Sequence, residues 1–153
     1  MNAKEILLLQ LSACHDQNTW FVSLLNSLDG LTEEEAQWKP TGSTNSIFEI
    51  INHLIYYNQR YLNKVKGIPN PEVVENNDES FNNLEELTWS ETTTRITNLM
   101  TEWKETVAAA DEQTIRKWST DIAHLANHAL YHTGQILYIR KLQESWDPKN
   151  GVH

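Results

Sequence analysis

Cysteine is almost missing from this chain: Cys14 is the only one among 153 residues. No internal disulfide can form, and nothing in the composition calls for an oxidising compartment. Glycine and proline are scarce as well, at five and four, which excludes a low-complexity chain and argues against a turn-dense β protein. Basic residues are outnumbered, 12 Lys plus Arg against 21 Asp plus Glu, for a net charge of −9. A surface of that sign repels phosphate backbones and anionic lipid, so neither nucleic acid nor membrane is an expected partner. Long apolar runs are lacking too. The opening stretch "MNAKEILLLQLSACHD" has no basic lead and is interrupted by Gln10 and Ser12. It reads neither as a signal peptide nor as a membrane span, and the expected location is the cytoplasm.

What the chain does have is helical period. Hydrophobic residues make up 39%, with six tryptophans, enough for one core, and a single domain over 1–153 is expected. Leu7, Leu11, Cys14, Phe21, Leu25 and Leu28 follow i, i+4, i+7 spacing, which predicts one first helix ended by Asp29–Gly30. Cys14 falls on that stripe, as a buried, inert thiol would. Thr32 and Glu35 form a capping box for a short turn that Pro40 closes. A second long helix starts at Ser46, answered by Glu49, carries Ile47, Ile50, Ile51, Leu54, Tyr61, Leu62 and Val65 on one face, and stops at Gly67. The stretch "IPNPEVVENNDESFNNLEEL" then breaks all periodicity, and a connection of that length has a function of its own or crosses the bundle. Thr88 and Glu91 cap a third helix, through Trp89, Thr93, Ile96, Met100, Trp103, Val107 and Ala110. A fourth is predicted from about Thr120–Asp121 to about Glu144. No segment alternates as a half-buried strand does. The fold class is therefore all-α, a four-helix bundle with one long crossover connection.

Three of the six histidines lie four residues apart on the fourth helix, in "HLANHALYHTGQI". At about 100° per residue, His124, His128 and His132 run along a shoulder of the core face, with His132 nearest the core. The same construction puts His53 of the second helix on a matching shoulder, beside Glu49 and Tyr57. An i, i+4 pair of imidazoles plus a third from another helix would hold a divalent ion and leave one position open. His128 and His132 are the better placed pair, which leaves His124 exposed or supporting. Polar helix residues with ordinary hydrogen bonds would give the same spacing, and spacing alone leaves both readings open. A di-iron carboxylate site is excluded, because no Glu precedes a histidine by three residues. Imidazole ligands suit zinc, nickel or iron better than magnesium or calcium. His15 and His153 read as solvated or locally bonded. Gly134, which costs about 1 kcal/mol inside a helix, suggests close packing against another backbone, beside the site or at a subunit contact.

The order Asn127-His128, His132, Gly134-Gln135-Ile136 resembles the C-terminal signature of the DinB/YfiT-like superfamily. "SIFEIINHLIYYNQRYL" resembles that family's second helix with its ligand His53, and "LTEEEAQWKP" its segment between helices one and two. The resemblance spans nearly the whole chain. It implies a four-helix bundle, often a homodimer, with a divalent metal held by His53, His128 and His132. Zinc or nickel is the expected ion, with iron or manganese also compatible. The family includes bacillithiol- and mycothiol-dependent transferases and isomerases, and members described as metal-dependent hydrolases. The expected function is therefore activation of a water or a low-molecular-weight thiol, such as bacillithiol, against a small-molecule electrophile. The alternative is a non-catalytic, metal-binding, dimeric stress-response protein. Tyr131 and Thr133 stand where many members carry a histidine and an arginine, which bears on substrate and thiol choice. Glu49 and Tyr57 are the expected catalytic helpers. Gln135 is expected to orient an imidazole, and Trp38 with the long connection to line the pocket mouth.

Overall fold

A computed structural model of the chain describes residues 1–42 and 44–153. Six α-helices follow one another: α1 Ala3–His15, α2 Leu24–Leu28, α3 Glu33–Gln37, α4 Ile47–Lys66, α5 Trp89–Ala109 and α6 Glu112–Leu142. Two 3-10 turns, Asn77–Phe81 and Pro148–Asn150, complete the secondary structure, and the described residues contain no strand. The all-helical class is the one that the sequence implies. None of these helices is long and apolar enough to cross a membrane.

Local chemistry sets the helix ends. Ser46 Oγ accepts from the Glu49 N–H at 3.1 Å while Glu49 Oε2 accepts from the Ser46 N–H at 2.7 Å, so α4 starts on a complete capping box. It stops at Gly67, whose φ of +71° is the left-handed conformation that glycine takes without a Cβ penalty. Thr88 and Glu91 start α5 in the same way.

Two boundaries differ from the sequence reading. The expected first helix is split, because α1 ends at His15 and the chain turns before α2 begins at Leu24. Asn18 Oδ1 accepts from both the N–H and the hydroxyl of Ser23, and Asn26 Nδ2 donates to the Asp16 carbonyl. Short polar side chains thus give the backbone partners that a continuous helix would have to replace. The last helix begins well before Thr120–Asp121, at Glu112, with Asp111 Oδ1 accepting from the Thr114 N–H at 2.8 Å.

α1 lies against α5 and α6, and α4 lies against the same two. Gln59 of α4 accepts from Arg95 of α5, and further along both helices Lys66 pairs with Glu102. Residue numbers rise together, so α4 and α5 are parallel neighbours. The connection between them must therefore return along the bundle, as a crossover does. α5 and α6, joined through Ala110 and Asp111, run in opposite directions.

The core is one cluster that includes Leu11, Leu54, Leu62, Ile96, Trp103, Ile122 and Ile136, each such side chain contributing about 1.5–3 kcal/mol by leaving water. Arg140, 3% exposed, donates to the carbonyls of Ser27, Asp29 and Ser145 and so ties the end of α6 to α2. Gly134 does not pack tightly within the chain. It is exposed, and a Cβ built there would meet nothing within 4 Å, so no backbone of this chain approaches it beside the site.

Candidate metal centre

The antiparallel course of α4 and α6 brings the two histidine shoulders face to face. His53 Nε2 stands 3.0 Å from His128 Nε2, and His132 Nε2 stands 3.0 Å from the same atom. The ligand atoms of these three residues all lie within 4.8 Å of one another. Nitrogens held about 2.0–2.1 Å from one tetrahedral ion are about 3.4 Å apart, so the two contacts that His128 makes, at 3.0 Å each, are slightly tight for an ion.

Outer partners fix which nitrogen of each ring carries its hydrogen. Ser80 donates its hydroxyl hydrogen to the Asn77 carbonyl at 2.6 Å. Its oxygen can then only accept from His53 Nδ1–H, at 2.7 Å. Gln135 Oε1 accepts from His132 Nδ1–H, also at 2.7 Å. In their neutral forms both rings therefore present a lone pair at Nε2. His128 Nε2 has at most one hydrogen to offer, and two lone pairs face it. One of the contacts at 3.0 Å is then lone pair against lone pair, a repulsion that a shared cation removes.

A proton is a poor cation for this place. Burial, followed by His132 and His128, pushes the His53 pKa down to about 3. Burial and then His132 push His128 down to about 4. His132 is also lowered by burial, opposed by its hydrogen bond to Gln135. At neutral pH the cluster is a neutral, nitrogen-only donor set, which suits a divalent ion of the zinc, nickel or iron kind.

The cluster opens into a cavity of about 690 Å³. Tyr57 lines it and meets the His53 ring edge-on, with centroids 5.0 Å apart, while donating to Asn77 Oδ1 at 2.9 Å. Phe81 stacks on the other side of His53, at 4.1 Å and 7° between planes. Asn77, Ser80 and Phe81 all come from the crossover connection. Sequence reasoning named none of them and had only the length of that connection as a signal.

The structure brings His53, His128, His132, Tyr57 and Gln135 together. It does not bring Glu49 or Trp38 into the lining. Glu49 spends one carboxylate oxygen on the Ser46 N–H and the other on Lys39 Nζ at 2.8 Å. Trp38 caps α3 and packs against the core. His124 is exposed and lines the cavity outside the cluster. Tyr131 also lines it, 64% exposed, whereas the Thr133 hydroxyl turns back to the Ala129 carbonyl. His15, expected to be solvated or locally bonded, is instead 1% exposed.

A sequence model of the family described as DinB superfamily matches residues 19–136, a stretch that includes all three histidines. No curated protein and no solved structure matches the chain.

Proposed function

The chain belongs to the DinB superfamily, and from that premise we propose that it is a divalent-metal-dependent enzyme acting on a small electrophilic molecule. It hydrolyses that molecule or transfers a low-molecular-weight thiol to it. The convergence of three Nε2 atoms at the floor of an open cavity carries the reading. His53, His128 and His132 are the ligands, and zinc or nickel is the preferred ion, with iron or manganese compatible. Such an ion supplies Lewis acidity and draws the pKa of a water or thiol toward neutrality, so that a nucleophile exists at pH 7.

The protein's own groups do the rest. Ser80 and Gln135 hold two imidazoles in the ligating tautomer. Tyr57 donates a hydrogen bond to Asn77 Oδ1 in the free protein; turned to a substrate, the same hydroxyl is the hydrogen-bond donor at the mouth of the site. Cys14 cannot serve as the nucleophile, since burial pushes its thiol up to about 11. A transferase would then take its thiol from outside, as bacillithiol or a similar molecule, which stays reduced in a cytoplasm, the location this reading requires.

The test is turnover of the protein loaded with zinc, nickel, iron or manganese against a panel of small thiols and electrophiles. Activity that His132→Ala abolishes is the expected result. Full metal content without turnover on any pair would defeat it. That outcome would favour the second reading, a non-catalytic metal-binding stress-response protein, which has its own support: the nearest expected base, Glu49, is already engaged at a cap and an ion pair. A homodimer belongs to both readings. Tyr138 and Leu142 on α6 and the almost fully exposed Trp20 are the surface it would cover.

A further inference from the structure

The cavity is much longer than the ligand cluster needs, and its far wall has a definite chemistry. Asp121 and His124 lie on α6 ahead of His128, all three lining the cavity. Asp121 precedes His128 by seven residues, which is about two turns, about 10 Å along the axis and within about 20° of the same face. On the facing helix Tyr57 and Tyr61 follow His53 by one and two turns. Because α4 and α6 are antiparallel, Tyr61 and Asp121 come to the same level. Asp121 is the only side chain of fixed charge among the lining residues, which include no Lys or Arg. No hydrogen bond or ion pair among the described residues engages its carboxylate. Two lysines stand nearby without entering the lining: Lys64 of α4 sits 4.4 Å over the Tyr61 ring, and Lys117, one turn before Asp121 on α6, sits 5.1 Å over the Trp118 ring.

We infer that this end of the cavity is a subsite for a protonated amine, with Asp121 as counter-charge and the Tyr57 and Tyr61 rings as its walls. The small molecule taken by the site then carries a cationic group about 10 Å from the atom that meets the histidines, a span set by the two helical turns between Asp121 and His128. A half-buried carboxylate with no partner attracts a cation, and tyrosine faces add to that attraction. The net charge of −9 steers the same sign of molecule toward the mouth. A thiol cofactor bearing only carboxylates would meet repulsion at Asp121 and no Lys or Arg in the lining to offset it. This inference rests on the metal reading above and names what that site selects.

The experiment uses full-length protein loaded with cobalt(II), whose thiolate charge-transfer absorption reports a sulfur at the histidine cluster. The probes are 8-amino-octanethiol and 8-mercapto-octanoic acid, alike in length and opposite in terminal charge. The aminothiol should bind at least tenfold more tightly, and Asp121→Asn should bring the two within twofold of each other. Asp121→Lys should reverse the order. Equal affinities in the unmodified protein would overturn the inference while leaving the metal reading intact. A preference that survives Asp121→Asn would also overturn it, assigning the effect to the overall charge. If cobalt binds but neither probe gives the absorption, the cluster accepts no thiol, and the inference falls together with the thiol branch of the proposed function.

Discussion

Two groups of buried histidine in this protein look alike by the usual measures. His15 at the end of α1 is 1% exposed, and His53 and His132 are 3% and 6% exposed. Burial is the leading cause of weakened basicity in both places, with His15 lowered to about 4 and His53 to about 3. Their surroundings differ completely. Neither ring nitrogen of His15 has a hydrogen-bond partner. The nearby Asp16 carboxylate, 3.7 Å from Nδ1, is already held by Lys104 at 2.8 Å. In the cluster, each of two rings has an acceptor on Nδ1 and aims its other nitrogen at a common point. Burial and a low pKa therefore do not mark a site. Convergence with the back side satisfied does.

The largest effect that separates the two groups is loss of a ligand. His128→Ala should weaken zinc binding by more than about 100-fold, exceeding the 10–100-fold typical of an outer partner, whereas His15→Ala should bind as tightly as the unmodified protein; elemental analysis after dialysis against a weak chelator reads both. Next comes Ser80→Ala, which leaves every ligand in place yet removes the acceptor from His53 Nδ1. A loss of about 10-fold or more in zinc affinity is expected, and an unchanged affinity would mean that Ser80 does not set the tautomer.

The third effect is on stability rather than metal. The folded pKa of His15 lies below its unfolded value, so the unfolded chain takes up the proton first as pH falls. Above about pH 6.5 the residue is neutral in both states and adds no pH dependence, and stability is lost progressively from there toward pH 4. At pH 4.5 the loss from this residue alone is on the order of 2 kcal/mol. His15→Leu removes two unpartnered nitrogens, so it should be at least as stable at pH 7 and flatter on the acid side. Urea melts of the metal-free protein at both pH values decide it, and an acid limb as steep as before would contradict it. The smallest effect belongs to Glu49→Ala, a cap loss of about 1 kcal/mol with zinc affinity unchanged. A large loss of zinc would return Glu49 to the site.

The legible part of the molecule was the part written in regular spacing. The capping box at Ser46 and Glu49, the stop at Gly67 and the shoulder positions of His53, His128 and His132 follow from a fixed angle per residue, and the structure repeats them. The break after His15 was illegible because the apolar stripe continues in register across it, while the side chains of Asn18, Ser23 and Asn26 decide locally for a turn. The early start of α6 was missed because its first turns are polar, with Ile115 the only buried residue before Ile122. Ser80 had no period to betray it. Its role depends on where an irregular segment comes to rest, which only tertiary structure fixes.

That segment has a consequence for how such proteins can vary. The hydroxyl that orients His53 is thirteen residues past Gly67 and belongs to neither helix that carries a ligand. A residue gained or lost between Gly67 and Ser80 would leave the helices, their caps and the three imidazoles where they are. It would move the one acceptor behind His53. Loop length here acts as a dial on ligand basicity, and drift in an apparently tolerant stretch could retune the choice of ion before it disturbed a single helix.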